Sequence, residues 1–308
     1  MNVWDPEVTL DEAGARRLLA EQFPDLALVS VVHLADGFDN TVFVVDGTWA
    51  VRFPRREVAV ALLARELPLL EPLAPRLPLP VPVPQLIGRP AGDYPWPFWG
   101  ARLLPGVDLA DAALPEDARE PLGAEVGRFL AALHDPAVVR DLGGGLPPDP
   151  MRRGQPAVRG PLARETLDRL ASRGGWETGS AVDRAVDALL AAGASLPAPA
   201  AEPVLVHGDF HLRHLLVTAN GAATGVIDWG DACLADPAVD LSMAYGGFAG
   251  PARAALLSAY GGMVDEEREL RARVLAIGLC AALADYADDV GMPALLAESR
   301  AGIARAVS

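Results

Sequence analysis

What most restricts the fold of this chain is a change of hydrophobic period partway along it. Residues 29–34, 41–45 and 49–53 are short runs of branched and aromatic side chains, parted by turn signals at Asp36-Gly37 and Asp46-Gly47. Such runs predict the strands of an antiparallel sheet. From Glu116 onward the apolar residues recur mostly at helical spacing. Strands first and helices afterwards predict an α+β architecture with the two kinds of element segregated. With 308 residues, two lobes are expected rather than one. The break at Pro105-Gly106 sets their bounds at 1–104 and 105–308.

Within this frame, residues 10–22 read as an opening helix built on Leu10, Leu18 and Leu19 and ended by Pro24. Residues 56–73 read as a helix that Pro68 should end or kink. Pro78, Pro80, Pro82 and Pro84 then alternate through an extended crossing, because proline supplies no ladder donor. Residues 98–104 predict a further edge strand. Leu122, Val126, Phe129, Leu130 and Leu133 share one side of a core helix over residues 121–135. Residues 143–161 read as an irregular loop with three arginines, followed by helices at 162–173 and 180–192 and a loop at 194–203. The last 60 residues read as helical, with a turn at Gly261-Gly262 and a break at Pro293.

Composition narrows the partners. Forty-one acidic against 26 basic residues give a formal charge of -15, which opposes docking to nucleic acid or to an anionic membrane. A cationic small substrate suits that field, and solubility alone explains it equally well. Cys233 and Cys280 are too few and too far apart for a disulfide framework or a thiolate metal site. The amino-terminal stretch lacks a basic region followed by an apolar run, and no apolar tract reaches membrane-spanning length. A cytoplasmic location is therefore expected.

The chemistry concentrates in residues 204–241. A short apolar strand, Val204–Val206, ends in His207-Gly208-Asp209, and a hairpin over residues 215–217 and 224–227 delivers Asp228 at its end. Two carboxylates presented by neighbouring elements suit phosphoryl transfer. One must orient the attacking hydroxyl and accept its proton, and the other must hold the metal that neutralises phosphate charge. Asp209 is the candidate base and Asp228 the candidate magnesium ligand.

HGDFHLRHLLV followed by GVIDWGDACLADPAVDL resembles the aminoglycoside and macrolide phosphotransferase family, which has the protein-kinase-like two-lobed fold. That resemblance implies Mg2+ and ATP or GTP as cofactors, with Asp209 as catalytic base and Asp228 on the metal. It also implies support of the catalytic region by Asp236 and Asp240, and a scaffold role for His207. Upstream, Gly37, Phe38, Asp39 and Asn40 resemble the tip of the family's phosphate-covering loop. Arg52 aligns with the basic residue that contacts nucleotide phosphates, commonly lysine, and Glu66 with its helix partner. The purine base is expected along the backbone of Arg102, Leu103 and Leu104. His214 stands where the commoner motif has asparagine, so the second metal position offers nitrogen, which suits magnesium less well than oxygen. Histidine there is similar to macrolide members and to certain aminoglycoside members of the family. His211 and Asp231 are candidate contacts to phosphate or substrate together with Asp209, whereas His33 and His134 carry no site signal.

The expected activity is transfer of a nucleotide's terminal phosphoryl group to a hydroxyl of a small molecule, a macrolide first and an aminoglycoside next. A metabolic kinase acting on a sugar, homoserine or a choline-like alcohol is an alternative. A second alternative is a nucleotide-binding pseudokinase that works through a protein partner.

Overall fold

The computed structural model of the protein describes residues 5–142, 145–199, 202–262 and 264–308. Gly143 and Gly144 in the first expected loop, and Ala200 and Ala201 in the second, lie outside the described residues. The chain forms two compact units, one of residues 1–75 and 80–104, the other of residues 76–79 and 105–308. The first is rich in sheet and the second in helix, an α+β protein-kinase-like organisation.

The first unit opens with α1 (Glu12–Gln22), started by Asp11, whose side chain accepts from the Gly14 N–H. Then come β1 (Val31–Asp36), β2 (Asn40–Val45), β3 (Trp49–Pro54), α2 (Glu57–Leu73), β4 (Leu86–Gly88) and β5 (Phe98–Arg102). The antiparallel sheet has the order β1-β2-β3-β5-β4. Asp46 and Gly47 both have positive φ, 52° and 59°, the tight-turn geometry that an Asp-Gly pair favours between paired strands. Ala15, Leu18 and Leu19 of α1 pack with Phe43, Val45, Val51 and Phe53 against one sheet face, where Phe53 and Phe98 stack at 4.4 Å. Val32, Val44, Ala50 and Ala101 follow one another across the ladder on the opposite face.

Two expectations are corrected here. β5 is an interior strand between β3 and β4, not an edge. The edge is β4, three residues long and hidden in the sequence behind the proline run that precedes it. Pro68 does not end the helix either: α2 continues through Pro68 and Pro72, with Leu69, Leu70 and Leu73 buried. Burial of that apolar side outweighs the loss of two backbone donors.

The second unit contains β6 (Val107–Asp108), α3 (Glu120–Leu133), α4 (Pro136–Leu142), α5 (Pro156–Ser172), α6 (Ala181–Ala194) and β7 (Val204–Val206). They are followed by β8 (Leu215–Val217), β9 (Ala223–Val226), β10 (Cys233–Ala235), α7 (Ala238–Gly246), α8 (Gly250–Tyr260), α9 (Glu266–Val290) and α10 (Pro293–Val307). The expected irregular loop is corrected at its C-terminal end, since α5 begins inside it at Pro156. Proline suits that first helical position because its missing N–H has no helical partner there anyway. Pro293 likewise starts α10, after Gly291 closes α9 in a left-handed conformation. Two small sheets, β6-β8-β9 and β10-β7, carry the segments of chemical interest. Among the described residues no helix is long and apolar enough to cross a membrane.

α3 packs on α8 through two glycines. A Cβ at Gly123 would meet the Ala252 carbonyl, and one at Gly127 the Leu256 carbonyl. The obstacles are backbone atoms, which cannot swing aside. Gly127→Val is expected to destabilise the protein by about 1–3 kcal/mol, read as a lower urea midpoint. An unchanged midpoint would show that the helices have room to separate.

Candidate active site

The catalytic segment is assembled from the interior outward. β7 is buried along its whole length, so the residues after it emerge from the core in a defined direction. The first of them, His207, has no exposed surface. Its backbone N–H donates to Asp240 Oδ2 at 2.7 Å and the Gly208 N–H donates to Asp240 Oδ1 at 3.0 Å. The His207 ring takes the Asp209 N–H on Nδ1 at 3.3 Å, which leaves Nε2 to donate to the Ile227 carbonyl at 2.9 Å. The Ile227 N–H in turn donates to the His214 carbonyl at 3.0 Å. Both sides of the peptide chain at Ile227 are therefore held immediately before Asp228.

Gly208 has φ of 88°, and a Cβ there would collide with the Asp231 carbonyl. Only glycine lets the two segments approach this closely. Asp228 itself has φ of 68°, a left-handed conformation that is uncommon outside glycine and concentrates at functional positions.

His214 lies between the two carboxylates. Its Nδ1 donates to the Asp209 carbonyl at 2.8 Å, and its Nε2 stands 3.5 Å from Asp228 Oδ2. Burial first, then the neighbouring His211, lower the His214 pKa to about 3, against the pull of Asp228 and Asp209. With the proton on Nδ1, Nε2 presents a lone pair to a carboxylate oxygen, an apposition that a divalent cation resolves. Asp209, His211 and His214 also bring one ligand-capable atom each to within 4.8 Å of one another. The donor set fits a divalent cation, with nitrogen supplying part of it.

Asp209 is a partly buried acid with company. Burial alone raises a carboxyl pKa; contact with His211 and the charge of Arg153 outweigh it and hold Asp209 well below the usual carboxylate range. His211 Nε2 is 3.5 Å from Asp209 Oδ2, and its ring stacks on His214 at 3.8 Å. Asp231 moves the other way. Burial raises its pKa, and the charges of Asp209 and Asp228 add to the effect while Arg153 opposes it.

Asp240 carries a third contact, since His134 Nε2 lies 3.2 Å from Oδ2 while His134 Nδ1 faces the Tyr260 hydroxyl at 3.1 Å. Asp236 sits at the start of α7, where Oδ1 accepts from the Ala238 N–H at 2.8 Å and lies 3.4 Å from Arg268. Sequence reading missed His134 and Arg153. Neither belongs to a motif, and only their three-dimensional neighbours mark them.

In the first unit, Arg52 Nη1 is 2.8 Å from Glu66 Oε1, and Glu66 is only 3% exposed. The loop at Gly37, Phe38, Asp39 and Asn40 is braced by its own turn and by β3. The Gly37 N–H donates to the Asn40 carbonyl at 2.8 Å, Arg55 Nη1 donates to the Gly37 carbonyl at 3.0 Å, and Arg56 Nη2 to Asp39 Oδ1 at 2.6 Å. Of the backbone expected to meet a purine, the Leu103 N–H already donates to the Thr48 carbonyl at 2.8 Å, while the Arg102 guanidinium covers Trp49 at 4.1 Å. Leu104 is the last residue of this unit.

A sheet unit with a buried Arg-Glu pair, together with a helical unit presenting two loop aspartates, defines the kinase-like class of phosphotransferase fold. The phosphotransferase enzyme family (APH) matches residues 30–273, and the chain belongs to it. The GDP complex of aminoglycoside 2'-phosphotransferase-IIIa superposes with a TM-score of 0.69 at 20% identity, covering 97% of this chain and 99% of that one. Macrolide 2'-phosphotransferase MphH from Brachybacterium faecium superposes with a TM-score of 0.57 at 26% identity, covering 95% and 97%. The uncharacterized protein YcbJ of Bacillus subtilis (strain 168) is 53% identical over 36 residues, a match that spans 12% of either chain.

The lowered His214 pKa makes a stability prediction. As pH falls through 6.5, the histidine of the unfolded chain takes up a proton while the folded one does not, until about pH 3. The stability linked to His214 is thus complete above pH 6.5 and is lost as pH falls, by roughly 2 kcal/mol at pH 5. His214→Asn should lose correspondingly less stability between pH 7 and pH 5 in urea unfolding. Parallel losses in the two proteins would contradict this.

Proposed function

We propose that the protein transfers the terminal phosphoryl group of ATP or GTP to a hydroxyl of a small molecule, with magnesium as the metal. The observation that carries this reading is the placement of His214 between Asp209 and Asp228, which brings a candidate base and a candidate metal ligand to one ring. In the transfer, the acceptor oxygen forms a new bond to phosphorus and its proton goes to Asp209. The bond to the bridging oxygen breaks, and the nucleoside diphosphate leaves with the electron pair. Asp228 and His214 would hold magnesium, which supplies neutralisation of phosphate charge when bound.

The remaining residues bind and orient. Arg52, braced by Glu66, is assigned to the nucleotide phosphates, with the Gly37, Phe38, Asp39 and Asn40 loop covering them. The sheet face carrying Val32, Val44 and Ala50 opposite α1 is the apolar surface offered to the purine, and Arg102 to Leu104 border it. His207 and Asp240 hold the catalytic segment, and Asp236 starts the helix that bears Asp240. His211, beside Asp209, is assigned to the phosphoryl or acceptor side.

For the acceptor, a macrolide is the first choice and an aminoglycoside the second. Histidine at position 214 is the ground for that order; the solved structures similar to this chain include enzymes named for both acceptors. A cytoplasmic location belongs to the same reading and is supported by two buried, unbridged cysteines.

The test is a screen of purified protein with magnesium, both nucleotides, and macrolide, aminoglycoside and small-alcohol acceptors, read by product mass. An acceptor heavier by one phosphoryl group is expected; no such product from any acceptor would refute the reading. Asp209→Asn should then lower kcat by roughly 100-fold or more while nucleotide affinity is retained, because the proton acceptor alone is removed. An unchanged kcat would take the base role away from Asp209.

A further inference from the structure

Arg153 is a buried cation that the proposed chemistry does not use. It lies in the segment between α4 and α5, which is tied to β10. The Leu234 N–H donates to the Pro147 carbonyl at 2.9 Å, the Asp149 N–H to the Leu234 carbonyl at 3.0 Å, and the Gly154 N–H to Asp149 Oδ2 at 2.9 Å. Just before Arg153, Arg152 takes φ of 50°, a left-handed conformation that is unfavourable for a non-glycine residue. A pinned, strained approach thus delivers a side chain that is 8% exposed.

Its guanidinium spans two carboxylates, with Nη2 3.5 Å from Asp209 Oδ1 and Nη1 3.3 Å from Asp231 Oδ1. Nε and Nη1 are buried and make no hydrogen bond, so Asp231 holds Nη1 by charge alone, while Nη2 donates a long hydrogen bond to Asp209 Oδ1. Enclosing a guanidinium that is only partly satisfied is expensive in solvation, and the sealed Nε cannot reach a ligand. What the group provides is direction. Asp209 has Arg153 at one oxygen and His211 at the other, both at 3.5 Å. Charge-assisted hydrogen bonds are shorter, about 2.7–2.9 Å. The carboxylate is therefore oriented from two sides by long, weak contacts that leave most of its accepting capacity open.

We infer that Arg153 is a positioning residue for phosphoryl transfer: anchored on Asp231, it aims the Asp209 carboxylate at the acceptor hydroxyl and leaves that carboxylate open to the incoming proton. The inference rests on Asp209 being the base. It also reassigns Asp231, which serves as the anchor of Arg153 and not as a contact to phosphate or substrate.

The test compares Arg153→Gln and Arg153→Lys with the natural protein by kinetics, nucleotide affinity and crystallography. In Arg153→Gln, kcat should fall roughly 100-fold, as for a misplaced reacting group, with acceptor KM and nucleotide affinity retained. Lysine restores the charge but cannot bridge two carboxylates, so Arg153→Lys should recover part of kcat. Crystals of Arg153→Gln should show the Asp209 carboxylate rotated or in two conformers. An unchanged kcat, or Asp209 in its original single conformer, would overturn the inference. If Arg153→Gln does not fold, Asp231→Asn, which removes the anchor, is read by the same three measurements against the same outcomes. Should the natural protein transfer phosphate to no acceptor, the proposed function falls, while the Asp209 conformers still decide whether Arg153 positions that side chain.

Discussion

The Asp240 carboxylate has no exposed surface and gathers three donors or ring nitrogens from separate parts of the chain: the N–H groups of His207 and Gly208, and the imidazole of His134. A buried carboxylate is tolerable only when its oxygens are saturated in this way. Its place in the first turn of α7 adds the favourable end of the helix dipole. Through this group the position of α7 is imposed on the start of the catalytic segment. From there the order passes through the His207 ring to Ile227, and so to the backbone that carries Asp228. Remove the carboxylate and each later placement loses its reference.

Around that scaffold the charges are graded. Asp209 and Asp231 flank one guanidinium, yet their proton affinities move in opposite directions, down for the first and up for the second. The difference lies in company. Asp209 has His211 as well as Arg153, whereas Asp231 feels the negative charge of its two acidic neighbours. Divergent carboxylates in one small region are common where protons are exchanged, and structural ion-pair networks produce them too.

Much of this was legible because the chemistry is local in sequence. Asp209, His214 and Asp228 lie within twenty residues on a strand, loop and hairpin whose periods are unambiguous. The Arg52–Glu66 contact was equally readable, one residue on a clear strand and the other on a clear helix. What escaped depends on long-range partners. His134 meets Asp240 across 106 positions, and Arg153 reaches Asp209 across 56 from a stretch with no period of its own. β4 and β10 are three residues each, too short for alternation to show. At α2 the sequence left open whether Pro68 ends or kinks the helix, and the buried leucines beyond it carry the helix on.

Those prolines leave a mark on α2. Each lacks a hydrogen to give the carbonyl four residues back, so the groups at Ala64 and Pro68 have no rung of the helical ladder. Four residues make about one turn, and both gaps therefore fall along a single flank. Glu66 lies inside the turn between Ala64 and Pro68, the first of the two whose rung is missing. The acid that braces Arg52 is thus carried by a turn short of one backbone bond, and its placement leans on the leucines buried beyond it more than on the helical ladder.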